Sequence, residues 1–146
     1  MPTIYLNIGT NLGNRLNNIN KAIALIEKKL CSSSSRSEIF ESKPWGFISD
    51  NPFYNICIAI ESDINPYKLL TIIKDIERKM GSSIHRTPSG DYADRIIDID
   101  IVAIGNLIIT SPELTIPHRH LLDRPFFFVP LKQVAPSWKY PVNDEQ

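Results

Sequence analysis

Two acidic residues two positions apart, Asp98 and Asp100, offer the clearest chemistry in this sequence. They lie within residues 96–104, where apolar and acidic residues alternate as in a half-buried β-strand. On a strand both carboxylates point to the same face, about 6.5 Å apart along the chain. Neighbouring carboxylates repel each other, and Mg²⁺ bound through oxygen relieves that repulsion. The pair therefore predicts a Mg²⁺ site able to hold a polyphosphate; the alternative is an exposed strand face with two solvated acids.

Three basic residues could serve the same chemistry. Arg95 lies three positions before Asp98, where it could contact a carboxylate or a phosphate, and His118 and Arg124 follow downstream. Arginine suits phosphate because its planar fork donates two hydrogen bonds at once. Each of these residues could equally be an ordinary surface charge. The run His-Arg-His at 118–120 is not interpreted as a zinc site, because no cysteines at zinc spacing accompany it.

Several classes of function are disfavoured by what the sequence lacks. It contains no Gly-x-x-x-x-Gly-Lys-Ser/Thr loop of a P-loop enzyme. Residues 9–13 lack the second glycine of a dinucleotide fingerprint, so a tight turn between strand and helix is the better interpretation. The 16 basic and 16 acidic residues give zero formal net charge, which argues against nucleic-acid and membrane partners.

Length and cysteine content favour a single cytoplasmic domain. The 146 residues, 42% of them apolar, are enough to bury a core without cross-links. The N-terminus does not resemble a secretory signal, and no apolar run approaches the ~18 residues of a membrane span. Cys31 and Cys57 are too few for a secreted disulfide scaffold. We expect free thiols; a disulfide between them is the alternative.

The acid pair must be held by a sheet, and the order of elements predicts its type. A first helix is expected from apolar residues spaced four, three, four, three and four apart: Leu12, Leu16, Ile19, Ile23, Ile26 and Leu30. A second begins at Asn65-Pro66, a capping residue before proline, and ends at Gly81. Strands are expected at 3–8, 37–40, 53–60 and 96–104, with a hairpin through 105–106 to 107–110 and a short helix near 124–128. The order indicates an α+β domain with helices on one face of a largely antiparallel sheet.

Four segments together resemble the 6-hydroxymethyl-7,8-dihydropterin pyrophosphokinase family of folate biosynthesis. They are Ile8-Gly9-Thr10-Asn11-Leu12-Gly13, Pro52-Phe53-Tyr54-Asn55, Arg95-Ile96-Ile97-Asp98-Ile99-Asp100-Ile101, and Ile116-Pro117-His118 with Arg124-Pro125-Phe126 and Val129-Pro130-Leu131. The segments occur in the family's order and cover nearly the whole chain. The resemblance implies a ferredoxin-like α+β fold and transfer of the terminal diphosphate of ATP to the pterin hydroxymethyl group, with release of AMP. It also implies two Mg²⁺ ions. We expect a monomer whose partners are ATP and the pterin.

The resemblance implies a role for each site residue. Asp98 and Asp100 would hold the metals and act with Arg95 in catalysis. Asn55 would read the polar edge of the pterin, and Phe53 and Phe126 would sandwich its ring. In full, the implied ATP-binding residues are Glu77, Thr115, His118, Arg119 and Arg124, and the implied pterin-binding residues are Ser42, Pro44, Trp45, Phe53, Asn55 and Phe126. The family often has Pro-Arg after the histidine, and we expect Arg119 or His120 to substitute here.

Residues 81–94 are polar and contain two glycines and a proline, a composition that predicts a long loop. We predict a mobile lid that closes over ATP and pterin; the alternative is an ordinary flexible loop.

Two rival classes of function are considered. A non-catalytic or altered-activity homologue would keep the pterin pocket and lose the handling of phosphate. An RNA-binding sheet domain would need exposed aromatic residues on central strands within a basic surface. Phe53 and Tyr54 are adjacent and so face opposite sides of a strand, which disfavours the RNA-binding class.

Overall fold

The chain is described by a computed structural model that covers residues 1–42, 52–81 and 96–142. Its elements are, in order, β1 (Thr3–Thr10), α1 (Arg15–Leu30), β2 (Ser34–Arg36), β3 (Phe40–Ser42), β4 (Phe53–Glu61), α2 (Pro66–Lys79), β5 (Asp98–Ile104), β6 (Ile109–Thr110), β7 (Thr115–Ile116) and α3 (Pro125–Val134). The predicted alternation of antiparallel strands and helices in an α+β fold is confirmed.

Strand β1 is the centre of the sheet, and its register decides which residues share a row. It pairs antiparallel with β4 on one side and β5 on the other, in the order β2-β4-β1-β5, and β3 also pairs with β4. Gly9 lies opposite both Asn55 and Asp98, and Asn7 lies opposite Asp100. Directly opposed residues point to the same face. The two aspartates and Asn55 therefore share one face of the sheet.

The other face carries the main core. Isoleucines of β1, β4 and β5, such as Ile8 and Ile99, are buried together with the apolar faces of α1 and α2. Burial of each of these isoleucine side chains stabilises the folded state by about 1.5–3 kcal/mol. On the face that carries the acids, Phe127 and Leu131 of α3 form a second cluster with residues of β4 and β5. The prediction that helices cover only one face is wrong, because the third helix has its own apolar residues and packs on the second face.

The prediction of one strand at residues 37–40 is wrong, since residues 37–39 lie between two short strands, β2 and β3, and only Phe40 belongs to a strand. Ser37 separates them. Its hydroxyl accepts the N–H of Cys57 at 2.9 Å, and its own N–H donates to the Cys57 carbonyl at 2.8 Å. A side-chain oxygen thus takes the place that a backbone carbonyl holds in a regular ladder, which interrupts the pairing.

The predicted hairpin after β5 is also wrong. Gly105 makes the turn with φ of 51°, but β6 pairs with β7 instead. Other groups occupy the outer edge of β5. The Glu77 carboxylate accepts the N–H of Ile99 at 2.8 Å, and the N–H of His118 donates to the Val102 carbonyl at 2.8 Å. Two residues implied in ATP binding therefore also hold the strand of the acid pair.

The helix periodicity is confirmed, with shifted ends. The start of α2 after Asn65 is as predicted, and the Asn65 side chain accepts the first N–H groups of the helix. Leu16, however, is 53% exposed and Leu12 precedes the helix, so the buried stripe of α1 begins at Ile19 rather than at Leu12. The turn before α1 is at Gly13, with φ of 68°, whereas Gly9 lies within β1. None of the helices in the described ranges is both long and apolar enough to cross a bilayer.

Candidate functional site

The acid pair lies where the alternation predicts. Asp98 and Asp100 are partly exposed on β5, while Ile97, Ile99 and Ile101 between and around them are buried in the main core. The two carboxylates therefore project from a rigid strand whose other face is anchored by packing. A position of this kind can hold a charged ligand without repacking the core.

Glu77 supports the acid pair from α2. Its side chain is 1% exposed, and one carboxylate oxygen accepts the N–H of Ile99, the residue between the two aspartates, at 2.8 Å. The ammonium of Lys74 lies 3.7 Å from the other oxygen. Charge-assisted hydrogen bonds of this type are strong in a buried setting. Glu77 thus helps to fix the backbone between the aspartates, and its role in nucleotide binding stays a prediction.

His118 faces the acid pair in a defined orientation. Its Nε2 lies 3.7 Å from Oδ1 of Asp100, and its Nδ1 accepts the N–H of His120 at 3.1 Å. Because Nδ1 is the acceptor, the proton of the neutral imidazole is on Nε2. The ring packs on Phe127 with centroids 4.5 Å apart. An N–H donor therefore points toward the space beside Asp100.

A groove of about 330 Å³ runs along the outer edge of β5 beside Asp100. Its apolar lining includes Leu70, Ile99, Ile101 and Leu114, and its polar lining includes Lys74, Asp100, Glu113, Thr115, His118 and Arg119. A groove with a mostly polar lining and a few apolar side chains can take a ligand that carries a phosphate chain. Thr115, His118 and Arg119 thus line the same groove as Asp100, and their roles in ATP binding stay predictions.

Not every implied residue joins this groove. Arg124 precedes α3, and its guanidinium carbon lies 5.9 Å from the centre of the Phe126 ring. Arg95, Pro44 and Trp45 lie outside the described residues, as does residue range 82–94 of the predicted lid. Their assigned roles stay predictions.

A second group of residues surrounds Gly9 on the same face. Asn55 is 4% exposed, and its Nδ2 donates to the hydroxyl of Ser42 at 3.1 Å. A Cβ atom at Gly9 would lie 2.7 Å from Oδ1 of Asn55 and 3.7 Å from Cδ1 of Phe53. Phe126 is linked to this face because its carbonyl accepts the Nδ2 of Asn7 at 2.8 Å. Gly9, which has no side chain, therefore leaves a space that is bordered by Ser42, Phe53 and Asn55.

Gly9→Ala is expected to weaken pterin binding roughly tenfold, because the new Cβ must displace the Asn55 amide, whose hydrogen bond would be disturbed. Binding of a non-hydrolysable ATP analogue should be unchanged, since the groove lies at the far edge of β5. Calorimetry with each ligand measures both. Ala59→Gly, which removes a methyl group elsewhere in the sheet, is the control and should leave both affinities unchanged. Equal pterin affinities for Gly9→Ala and the parent would contradict the expectation.

The residues present fit a Mg²⁺ site that is completed by its substrate. Within the described residues, no three histidine, cysteine or acidic side chains converge as a metal cage. Mg²⁺ commonly uses one or two carboxylates and fills its other positions with water and phosphate oxygens. Asp98 and Asp100 supply that number of carboxylates on one face of β5, and Asp100 lines the groove.

Sequence reasoning missed three contributors. Lys74 and Leu70 line the groove from α2, and Asn7 lies on the acid-bearing face, opposite Asp100. Leu70 and Lys74 look like ordinary helix residues in the sequence. Asn7 carries a detectable signal, since a polar residue within an apolar strand requires a partner when it is buried.

The chain has sequence relatives over nearly its full length. A sequence profile of the family described as 7,8-dihydro-6-hydroxymethylpterin-pyrophosphokinase (HPPK) matches residues 5–136. A 2-amino-4-hydroxy-6-hydroxymethyldihydropteridine pyrophosphokinase of Porphyromonas gingivalis is 37% identical over 142 residues, which is 97% of this chain and 95% of the relative. A protein of the same name from Aquifex aeolicus is 34% identical over 97% of this chain and 86% of the relative.

Solved structures of HPPK-DHPS proteins contain the fold of this chain. A crystal structure titled as HPPK-DHPS in complex with substrates matches 99% of this chain with a TM-score of 0.72 at 15% identity, and this chain covers 42% of it. Plasmodium falciparum HPPK-DHPS with pteroate matches 98% of this chain with a TM-score of 0.71 at 16% identity, and 40% of that chain is covered. At such identities the likeness supports the fold alone.

Proposed function

Since this chain belongs to the 7,8-dihydro-6-hydroxymethylpterin-pyrophosphokinase family, we propose that Asp98 and Asp100 hold two Mg²⁺ ions on ATP while Asn55 and the aromatic residues hold the pterin. The chain is a pyrophosphokinase of folate biosynthesis that uses ATP as co-substrate. The observation that carries the proposal is the row across the sheet in which Asp98, Gly9 and Asn55 are direct neighbours. It would place the phosphate end of ATP and the pterin alcohol side by side.

ATP would lie in the groove at the outer edge of β5. Leu70 and Ile101 would contact the adenine, and Thr115 and Arg119 would donate to the sugar or phosphates. His118 would donate from Nε2 to a phosphate oxygen, because its Nδ1 is already an acceptor. When bound to the aspartates, Mg²⁺ would supply charge neutralisation on the transferred diphosphate.

The pterin would stack on Phe53, with Phe126 on its other face, and its polar edge would meet Asn55. Ser42 would orient the Asn55 amide through the bond from Nδ2. In the transfer the hydroxyl oxygen of the pterin forms a bond to the β-phosphorus of ATP. The bond from that phosphorus to the bridging oxygen of the α-phosphate breaks, AMP leaves, and the proton of the hydroxyl is released to solvent. The residues contribute chiefly by aligning these atoms.

We also propose that residues 1–146 act as one pyrophosphokinase domain and as a monomer in the cytoplasm. Both cysteines are free thiols, which suits a reducing compartment.

The test is incubation with 6-hydroxymethyl-7,8-dihydropterin, ATP and Mg²⁺. We expect one AMP for each pterin diphosphate formed, and no turnover when the Mg²⁺ is removed with a chelator. Release of ADP instead of AMP would contradict diphosphate transfer. Tight pterin binding without AMP release would favour the alternative of a non-catalytic homologue.

A further inference from the structure

Helix α3 contains a proline that removes one of its own hydrogen bonds. In an α-helix the carbonyl of residue i accepts the N–H of residue i+4. Pro130 lies inside α3 and has no N–H, so the carbonyl of Phe126 cannot have its regular helical partner. A carbonyl left without a donor in a buried place is costly, so its alternative partner is informative.

Asn7 supplies a donor to that carbonyl. Its Nδ2 lies 2.8 Å from the Phe126 oxygen, although the two residues are 119 positions apart in the chain. Asn7 is only 2% exposed and lies in the central strand, between isoleucines and leucines that face the main core. A buried amide is tolerated when it is hydrogen-bonded. The Asn7 amide therefore donates the hydrogen bond to the Phe126 carbonyl that Pro130, without an N–H, cannot donate.

We propose that Asn7 is a positioning residue for the pterin, because it replaces the hydrogen bond that Pro130 removes and so fixes the first turn of α3 against the sheet. This inference rests on the proposed role of Phe126 as a stacking residue. Asn7 lies directly opposite Asp100, so the same strand that carries this amide pairs with the strand of the acids. The ring centroids of Phe126 and Phe127 lie 4.7 Å apart, and the Phe127 ring packs in turn on His118.

The decisive experiment is a double-mutant cycle of Asn7→Ala and Pro130→Ala, with pterin affinity measured by calorimetry. In the parent background Asn7→Ala should weaken pterin binding roughly tenfold, since the carbonyl loses its donor and the first turn of α3 loosens. With alanine at 130 the helix regains an N–H for that carbonyl, and the same change at Asn7 should cost less than threefold. Affinity for a non-hydrolysable ATP analogue should change little throughout. A role of Asn7 in packing alone would give the same loss in both backgrounds, which would overturn the proposal.

Two further measurements keep the result interpretable. If Asn7→Ala does not fold, Asn7→Ser takes its place in the cycle, because its hydroxyl is too short to reach the carbonyl. Scalar coupling between the Asn7 side-chain ¹⁵N and the Phe126 carbonyl ¹³C should be detectable by NMR in the parent, and its absence would overturn the inference independently of any ligand.

If Phe126→Ala leaves pterin affinity unchanged, the stacking role fails and the positioning role fails with it. If Phe126→Ala weakens binding and Asn7→Ala does not, only the positioning role fails.

Discussion

Asp98→Ala and Asp100→Ala are each expected to lower the rate of AMP release by roughly a thousandfold, about 4 kcal/mol of transition-state stabilisation. Both carboxylates are partly exposed, and the core residues around them belong to the opposite face of β5. Alanine should therefore leave the fold intact and remove a ligand of the proposed metal site. The charge that develops on the transferred diphosphate would then be incompletely neutralised.

Asp63→Ala is a suitable control, because Asp63 is exposed in the connection between β4 and α2. Its activity and melting temperature should match those of the parent. Mn²⁺ binding followed by electron paramagnetic resonance, in the presence of an ATP analogue, should show fewer bound ions in both site variants and the full number in the control. Near-normal AMP release by both site variants in Mg²⁺ would refute the metal assignment.

The strand of the acid pair was predictable because its signal is local. Side chains alternate with a period of two, so Asp98 and Asp100 must share a face whenever that segment is extended. The cap at Asn65 is local in the same sense, since its side chain bonds to the helix that immediately follows. Thr115, His118 and Arg119, which the resemblance assigns to ATP binding, line one groove, but their roles stay predictions.

The errors arose where distant residues compete for a strand edge. The turn at Gly105 suggests a hairpin, but Glu77 and the N–H of His118 already occupy the outer edge of β5. Likewise Ser37 interrupts the strand predicted around it through bonds to Cys57, 20 residues away. Local propensity cannot anticipate such bonds, because they depend on which elements pack together. The placement of Asn7 beneath α3 is hidden for the same reason.

Asn55→Leu should reduce pterin affinity ten- to a hundredfold for each hydrogen bond lost, since one unpaired buried polar group costs about 1–3 kcal/mol. Leucine has nearly the same shape as asparagine, so packing around the 4% exposed side chain should survive. The change removes two hydrogen-bonding groups. The Nδ2 that bonds to Ser42 disappears, and so does the Oδ1 that lies over Gly9. The pterin edge would then be buried against a methyl group, with its donors and acceptors unpaired.

ATP binding provides the internal comparison, because the groove is at the outer edge of β5 whereas Asn55 lies on β4, on the far side of β1. Calorimetry should show the pterin affinity falling while that of a non-hydrolysable ATP analogue stays within about twofold of the parent. Asn17→Leu, the same change at an exposed position on α1, controls for added surface hydrophobicity. Ser42→Ala should give a smaller loss than Asn55→Leu, since it frees the amide without removing it. Equal losses for both ligands, or none for the pterin, would show that Asn55 does not read the pterin edge.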